Sequence, residues 1–350
     1  MAEAQSRGSL DHGRPWRTRS SWSERQGFAR STLMRRSAVL AIVWAWLLVL
    51  LILPGLIVLK IALSEPFDGV PPYSPMLHWT GGLLPAIHIN LDAFSLITFD
   101  PLYLHALLLS LKVAGLSTMI ALLVGYPMAL AIARANERWR SLLLLLVMLP
   151  FWTGFLIRIN AWIGLLSDDG LLSTIAVAIG LPRLQLLYTD AAMYIAIVYT
   201  YLPFMVLPLY ARLSRLDPGL LEAAADLGAP PWRIFLSIML PLSLPGIWAG
   251  VLLVFIPAAG EYVIPELLGG PQAQLIGRVL WQEFFQNSDW PTASAIACAL
   301  LVLLLLLPAG ALWGFRLTAS RTAASAPSDA TGHPPAIAPG PGEKASPLRR

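Results

Sequence analysis

Six long apolar runs dominate the amino-acid sequence. Each run exceeds the roughly 20 residues that an α-helix needs to cross a hydrocarbon core about 30 Å thick. Inside a bilayer the backbone N–H and C=O groups must be paired within the protein, and a helix pairs them within one segment. We therefore predict an all-α integral membrane protein with six transmembrane helices, at approximately residues 38–63, 105–133, 141–165, 190–212, 239–260 and 292–316.

The composition agrees with a membrane protein. Of the 350 residues, 57% are hydrophobic and only 13% are charged, and the mean hydropathy is +0.66. Soluble domains carry about 25% charged residues. The single cysteine, Cys298, lies in the sixth run, so the chain cannot form an internal disulfide bond. We interpret it as a small packing residue.

Basic residues are distributed unequally between the two sides of the predicted membrane. With the N-terminus inside, 19 of the 24 Lys and Arg residues fall on that side, whereas the segment 64–103 contains none. Cytoplasmic loops are enriched in Lys and Arg, so both termini are predicted to be cytoplasmic. This distribution accounts for the +4 net charge without a nucleic-acid partner.

The same patterns divide the chain into three regions. Residues 1–37 are predicted to form a basic cytoplasmic tail, and residues 38–316 the six-helix domain. Residues 317–350 are rich in Pro, Ala, Ser and Gly, a composition that buries too little apolar surface to offset the entropy lost on ordering. We predict a disordered cytoplasmic tail there.

The catalytic patterns that we sought do not occur in the sequence. None of the three lysines follows a glycine in the arrangement that cradles nucleotide phosphates, and the five histidines form no H-E-x-x-H pair. There is no G-x-S-x-G elbow, and no histidine lies near Cys298 in the sequence. We predict a protein that is not an enzyme, that has no metal site and no cofactor, and that leaves any ATP binding to another subunit.

Two connections on the predicted outer side are unusual. The segment 64–103 is long and carries several acidic and aromatic residues. It is either a solvated loop or a docking surface for a soluble partner. The segment 260–271, GEYVIPELLGGP, contains glycines and a proline that break a regular helix. Broken backbone is tolerated at membrane depth only where protein or water surrounds it, so this segment is either a gate-like element or an interfacial loop.

A short amphipathic helix is predicted between the fourth and fifth runs. Asp217 and Pro218 form a favourable helix start, since a carboxylate caps free amides and proline at the first position loses no hydrogen bond. Gly228 can take the left-handed conformation that ends a helix. One face of the helix carries an apolar stripe, formed by Leu220, Leu221, Ala224 and Leu227.

The residues of this helix carry a resemblance to a known family. The spacing of the EAA motif of ABC importer permeases is matched at all seven positions by Glu222-Ala223-Ala224, Gly228, Ile238 and Leu240-Pro241. A chance match is on the order of 10⁻⁵. The chain departs from the family at Pro230, where serine is common, so the next helix must begin on proline geometry without a hydroxyl cap.

The resemblance implies a type I ABC importer permease fold, also called MetI-like, in the bacterial inner membrane. It implies that residues 217–236 form a coupling helix that docks into a separate ATPase subunit. The implied partners are a cytoplasmic ABC ATPase dimer, a second permease subunit and an extracytoplasmic solute-binding protein. The coupling residues would be Glu222, Ala223, Ala224, Gly228, Leu240 and Pro241.

Further stretches are similar to the spermidine/putrescine permeases of the PotB/PotH type. These stretches are GYP at 125–127, LPFWTGFLIRINAW at 149–162 and IPELLGG at 264–270. The resemblance covers roughly residues 38–316 and implies a polyamine as the solute. Permeases of the same fold for an amino-acid derivative, a phosphonate or iron share such stretches and stay open as alternatives, as does a membrane scaffold without transport activity.

A polyamine is a flexible polycation, so its path should offer carboxylates and aromatic faces. Arg158 would repel a cation in that path and is instead a candidate contact for the solute-binding protein. Each aromatic side chain is also compatible with packing or with an interfacial belt. The candidates for the path are Glu261, Tyr262 and Glu266 in the broken outer segment, together with Trp152, Trp162, Tyr199 and Tyr201.

Overall fold

The computed structural model describes residues 20–75, 77–78, 86–87 and 89–324. Within the predicted outer segment it contains a short antiparallel pair, β1 Leu77–His78 and β2 Ala86–Ile87. The helices are α1 Ser20–Ala62, α2 Asp92–Phe99, α3 Pro101–Arg134, α4 Glu137–Met148, α5 Phe155–Leu166, α6 Leu171–Ala178, α7 Asp190–Leu213, α8 Pro218–Asp226, α9 Pro231–Ile234, α10 Leu240–Ala259, α11 Val263–Leu268, α12 Ile276–Phe285 and α13 Trp290–Ala324.

Six stretches of the described residues are helical, long and apolar enough to cross a membrane. This number agrees with the six spans predicted from the apolar runs, and the all-α membrane fold is confirmed. The stretches are Val43–Ala62, Pro101–Arg134, Phe155–Ala178, Asp190–Leu213, Pro231–Ala259 and Trp290–Gly310.

The third span lies later in the chain than predicted. The predicted range, 141–165, is interrupted by a 3₁₀ turn at Leu149–Trp152, and the helix resumes only at Phe155. Pro150 lies in this turn, and Gly154 precedes the new helix. The prediction of an unbroken helix was wrong. The side chains around Pro150 are apolar, so hydropathy alone shows one continuous run, but proline disrupts the helical backbone at this point.

The terminal helices extend into both predicted tails. α1 begins at Ser20, inside the predicted basic tail, and α13 continues to Ala324, beyond the predicted start of disorder at residue 317. Hydropathy marks where a helix meets the membrane and not where its hydrogen bonding begins or ends. The remaining parts of the predicted tails, residues 1–19 and 325–350, lie outside the described residues.

The chain forms two compact units. Unit 1 comprises the residues up to Leu111 and Glu261–Cys298, and unit 2 comprises Lys112–Gly260 and the residues from Ala299 onward. In unit 1, two hydrogen bonds join α3 to α12. The backbone N–H of Ile276 donates to Ser110 Oγ at 2.7 Å, and the Tyr103 hydroxyl donates to Glu283 Oε1 at 3.0 Å.

Unit 2 is built on the packing of α7 against α10. The buried face of α10 consists mainly of small residues, which allow a close approach. A Cβ atom added at Gly246 would lie 2.8 Å from Arg212 Cγ and 2.9 Å from the carbonyl oxygen of Pro208, both in α7. Real Cβ atoms do not approach backbone oxygens so closely, so this contact between the two helices requires glycine.

A polar pair is enclosed in the core of unit 2. The hydroxyl oxygens of Tyr126 in α3 and Ser243 in α10 lie 3.2 Å apart. Ser243 donates its proton to the carbonyl oxygen of Leu240 at 2.9 Å, so Tyr126 is the donor to Ser243. The Tyr126 ring also meets Phe235 edge to face, with centroids 5.4 Å apart. The core therefore ties α3 to the start of α10 by a satisfied hydrogen bond as well as by packing.

Replacing Gly246 with alanine should destabilise unit 2. The added methyl group forces α7 and α10 apart, and overpacking of this kind costs about 1–3 kcal/mol. Gly115→Ala is the matched control, because nothing lies within 4 Å of an added Cβ atom in that α3 position. The control should be neutral or stabilising, since alanine favours a helix. Thermal unfolding of the purified protein in detergent would measure both variants, and equal effects would contradict the proposed packing constraint.

Candidate functional site

The amphipathic helix predicted between Asp217 and Gly228 is present as α8, whereas the rest of the segment 217–236 forms a turn and a second helical start, and the coupling role stays a prediction. Its first amide is capped as the sequence indicates: the Gly219 N–H donates to Asp217 Oδ1 at 2.9 Å, and Pro218 occupies the first helical position. A side-chain cap and a proline at this position both stabilise a helix start. α8 therefore has a defined N-terminal end before any partner is bound.

The C-terminal end of α8 is also defined, by Gly228. This residue has a φ angle of +79°, in the left-handed region. Its N–H donates to the carbonyl oxygen of Ala225 at 2.8 Å, and the N–H of Ala229 donates to that of Ala224 at 3.1 Å. These two bonds form a Schellman motif, which closes the helix and redirects the chain.

The residues of the predicted apolar stripe on α8 differ in their exposure to solvent. Leu221 packs against the core of unit 2, which holds the helix to the rest of that unit. Leu227 is 89% exposed, and Trp232 just beyond the turn is 64% exposed. Glu222 and Ala223 also face solvent. Large apolar side chains that remain exposed beside polar ones are typical of a binding surface.

The chain after α8 begins a second helix without a side-chain cap, as the sequence predicts. Pro230 provides only its carbonyl oxygen, which accepts the N–H groups of Arg233 at 2.9 Å and Ile234 at 3.1 Å. The helix then widens into a π turn at Phe235–Met239 before α10. Pro241 is the second residue after this turn, and a wider turn gives its ring room against the preceding carbonyl groups.

Two of the predicted solute-path residues are carboxylates in unit 1, and both are engaged. Glu261 is buried, and its Oε1 accepts the N–H of Val263 at 3.0 Å and that of Ile264 at 3.4 Å, at the start of α11. Glu266 in α11 forms an ion pair with Arg278 in α12. Glu261 therefore helps to build the broken outer segment, and Glu266 joins it to the next helix.

The aromatic candidate in unit 1 has a partner that the sequence did not reveal. The rings of Tyr262 and Trp281 are stacked, with centroids 6.3 Å apart and an angle of 13° between their planes. Trp281 lies in α12 one turn after Arg278, and this spacing places both side chains on one face of the helix. The sequence spacing alone could have shown that Arg278 and Trp281 share a face of α12. It could not have shown which segment packs against that face.

The aromatic candidates in unit 2 are only partly brought together. The rings of Trp162 and Tyr199 meet edge to face, with centroids 5.2 Å apart. The ring centroids of Tyr201 and Phe204 are 6.3 Å apart. Trp152 is exposed on the turn that interrupts the third span. Two of these four residues therefore form a direct pair, and the others lie beside different neighbours.

Arg158 lies in α5, beside two aromatic rings. Its guanidinium carbon is 5.8 Å from the ring centroid of Phe151 and 5.7 Å from that of Phe155. The Nε and Nη1 atoms are enclosed. The side chain as a whole is partly exposed, and contact with the solute-binding protein stays a prediction. Within the described part of the chain, no group of three or more His, Cys, Asp or Glu residues is placed to hold a metal ion.

A protein-family model identifies the chain. Residues 121–314 match the family described as binding-protein-dependent transport system inner membrane component. The chain belongs to this family. The permease is therefore a multi-pass inner-membrane protein and the non-catalytic component of an ABC importer, whose partners include an ATPase and a solute-binding protein.

Two relatives are similar over most of the permease. It is 39% identical to the spermidine/putrescine transport system permease protein PotB of Haemophilus influenzae over 269 residues, which cover 76% of this chain and 89% of the relative. It is 42% identical to the PotB protein of Escherichia coli over 207 residues, covering 59% and 75% of the two chains.

A solved structure shares the fold at lower identity. It is a bacterial ABC transporter involved in the import of the acidic polysaccharide alginate. The TM-score is 0.59 at 19% identity, and the match covers 83% of this chain and 97% of the other. The likeness shows the fold of the permease and carries no information about its solute.

Glu261→Ala should destabilise the outer segment, whereas Glu261→Gln should not. Alanine removes the acceptor of two amides at the start of α11, and the loss of such a cap costs about 1 kcal/mol. Glutamine keeps an oxygen in the same place. Thermal unfolding in detergent would compare the two variants, and equal destabilisation would indicate that the charge of Glu261, and not its acceptor oxygen, stabilises the segment.

Proposed function

We propose that the permease imports polyamines such as spermidine and putrescine. Its similarity to two spermidine/putrescine permeases carries this proposal, because the similarity covers most of this chain and of both relatives. Shared fold alone would not suffice, since a permease structure with the same fold belongs to an alginate importer.

The residues proposed for the solute path suit a flexible polycation. Glu261 and Glu266 supply carboxylates, and Tyr262 supplies an aromatic face in the same segment of unit 1. In unit 2, Trp162 and Tyr199 supply paired rings, while the exposed Trp152, and Tyr201 beside Phe204, remain candidates. Ammonium groups are attracted both to carboxylates and to the faces of aromatic rings.

The EAA segment is proposed to couple ATP hydrolysis to transport by docking on the ATPase. Its exposed Glu222 and Ala223, with Leu227 and Trp232 beside them, provide a small acidic and apolar surface for a partner groove. Leu221 connects α8 to the core of unit 2, so that movement of the docked helix would displace the packed helices. The motif positions Ala224, Gly228, Leu240 and Pro241 would shape the helix and its exit.

The assembly is proposed to contain this permease, a second permease subunit, an ATPase dimer and an extracytoplasmic solute-binding protein. Both termini are proposed to be cytoplasmic, because that orientation places most Lys and Arg residues inside. It also places α8 on the same side as the ATPase. Arg158 stays a candidate contact of the binding protein in this arrangement.

Uptake of labelled putrescine and spermidine tests the solute directly. In cells that lack this chain, uptake should be lost, and expression of the intact chain should restore it. An expressed chain that carries a large deletion in α7 would serve as the inactive control. Uptake that is unaffected by loss of the permease would overturn the polyamine proposal and leave the family assignment in place.

Gly228→Val should uncouple ATP hydrolysis from uptake. A β-branched residue is disfavoured at a φ angle of +79°, and the left-handed conformation costs about 1–2 kcal/mol in an ordinary residue. Nothing lies within 4 Å of an added Cβ atom, so the effect is conformational and not steric. The α8 turn should open, and the ratio of uptake to ATP hydrolysis in proteoliposomes should fall about tenfold.

Gly180→Val is a closely matched control for this variant. Gly180 has a φ angle of +81°, also with nothing within 4 Å of an added Cβ atom. It ends α6 with the same pair of hydrogen bonds, from Gly180 to Val177 at 3.0 Å and from Leu181 to Ala176 at 2.9 Å. Valine at Gly180 therefore carries the same backbone cost as valine at Gly228, but at a position outside the EAA segment. If both variants retain coupling, or both lose it, the special role of α8 is contradicted.

A further inference from the structure

Two side-chain contacts join α11 to α12, one helical turn apart. Tyr262, just before α11, stacks on Trp281, and Glu266 pairs with Arg278. Tyr262 precedes Glu266 in the chain, whereas its partner Trp281 follows Arg278. The two segments therefore run antiparallel at this point. We call these four residues, Tyr262, Glu266, Arg278 and Trp281, the clasp.

The connection between the two helices fixes the clasp in place. A Cβ atom added at Gly269 would lie 2.6 Å from the carbonyl oxygen of Pro265 and 2.8 Å from Ala273 Cβ, so the chain turns tightly there. The Gly269 N–H also donates to that carbonyl oxygen of Pro265 at 3.1 Å. A rigid turn holds the carboxylate and guanidinium groups in register before any solute arrives.

The ion pair is enclosed but remains within reach of the surface. The side chain of Arg278 is 18% exposed and that of Glu266 is 36% exposed. The low exposure of Arg278 shows that most of its side chain is shielded from solvent. The carboxylate of Glu266 is the more accessible member, and it is the group that an arriving cation would meet.

We infer that Arg278 occupies the place of a solute ammonium group at Glu266. This inference rests on the proposed polyamine function. A carboxylate beside two stacked aromatic rings is a suitable site for an alkylammonium group. In the free protein the guanidinium group of Arg278 fills that site. An ammonium group of the solute replaces it, and the aromatic stack and the turn at Gly269 then hold α11 against α12.

An exchange of this kind is physically more reasonable than a purely structural ion pair. Partly buried ion pairs contribute little net stability, because desolvation offsets most of the attraction, so such a pair is weak support for a fold. Exchanging one cation for another keeps a positive partner on Glu266 throughout, so its carboxylate is never left uncompensated. The aromatic stack and the tight turn keep the helices aligned meanwhile.

The test compares the KM for labelled putrescine among variants of the intact transporter in proteoliposomes. Arg278→Gln removes the competing cation, so the KM should fall about fivefold, while Glu266→Gln removes the site and should raise the KM about fivefold. The double variant should match Glu266→Gln, because without the carboxylate the arginine has nothing to compete for. Arg278→Met is a second charge-removing variant that retains the packing of the stem.

The exposed ion pair between Arg183 and Asp169, at 3.0 Å, supplies the matched control. Arg183→Gln should leave the KM unchanged. If Arg278→Gln and Arg278→Met leave the KM unchanged or raise it, or if neither variant reaches the membrane, the exchange is wrong and the pair is structural. Wild-type transporter that takes up no putrescine would instead overturn the proposed function, and the exchange with it.

Discussion

A polar group in a membrane-spanning protein must find its partner within the protein, because the hydrocarbon core offers none. Two long-range contacts in the described structure meet this requirement. Ser110 of α3 accepts the first amide of α12, and Tyr126 of α3 donates to Ser243 of α10. Each bond fixes one helix relative to another. The polar residues that interrupt the apolar runs are thus the points at which packing becomes specific.

The helix α8 is built under a different condition, since it lies outside the six stretches that could span the membrane. Its two ends are completed by local bonds, at Asp217 and Gly228, and need no partner. Its outer surface is left uncovered, with Leu227 and Trp232 exposed, while Leu221 anchors it to the core of unit 2. A helix with fixed ends, one anchored side and one open side can pass on a rigid displacement, which mechanical coupling requires.

The sequence was informative where structure depends on neighbouring residues, and uninformative where it depends on distant ones. The number of spans, the start of α8 at Asp217 and its end at Gly228 follow from hydropathy and capping chemistry, and they were predicted. The third span was misplaced because hydropathy does not detect the break at Pro150. The pairing of Glu266 with Arg278 was missed, because the spacing shows which residues share a helix face and not what that face meets.

The ion pair between Glu266 and Arg278 is relevant to how a permease can release its solute. An uncompensated carboxylate in a partly desolvated site would bind a polycation strongly, and strong binding slows release. Transport needs a site that is favourable enough to enter and weak enough to leave. In the proposed exchange, the resident arginine would lower the affinity of Glu266 for each arriving ammonium group, and it would reoccupy the carboxylate when the solute departs. The ion pair in the clasp would therefore favour turnover at the expense of affinity.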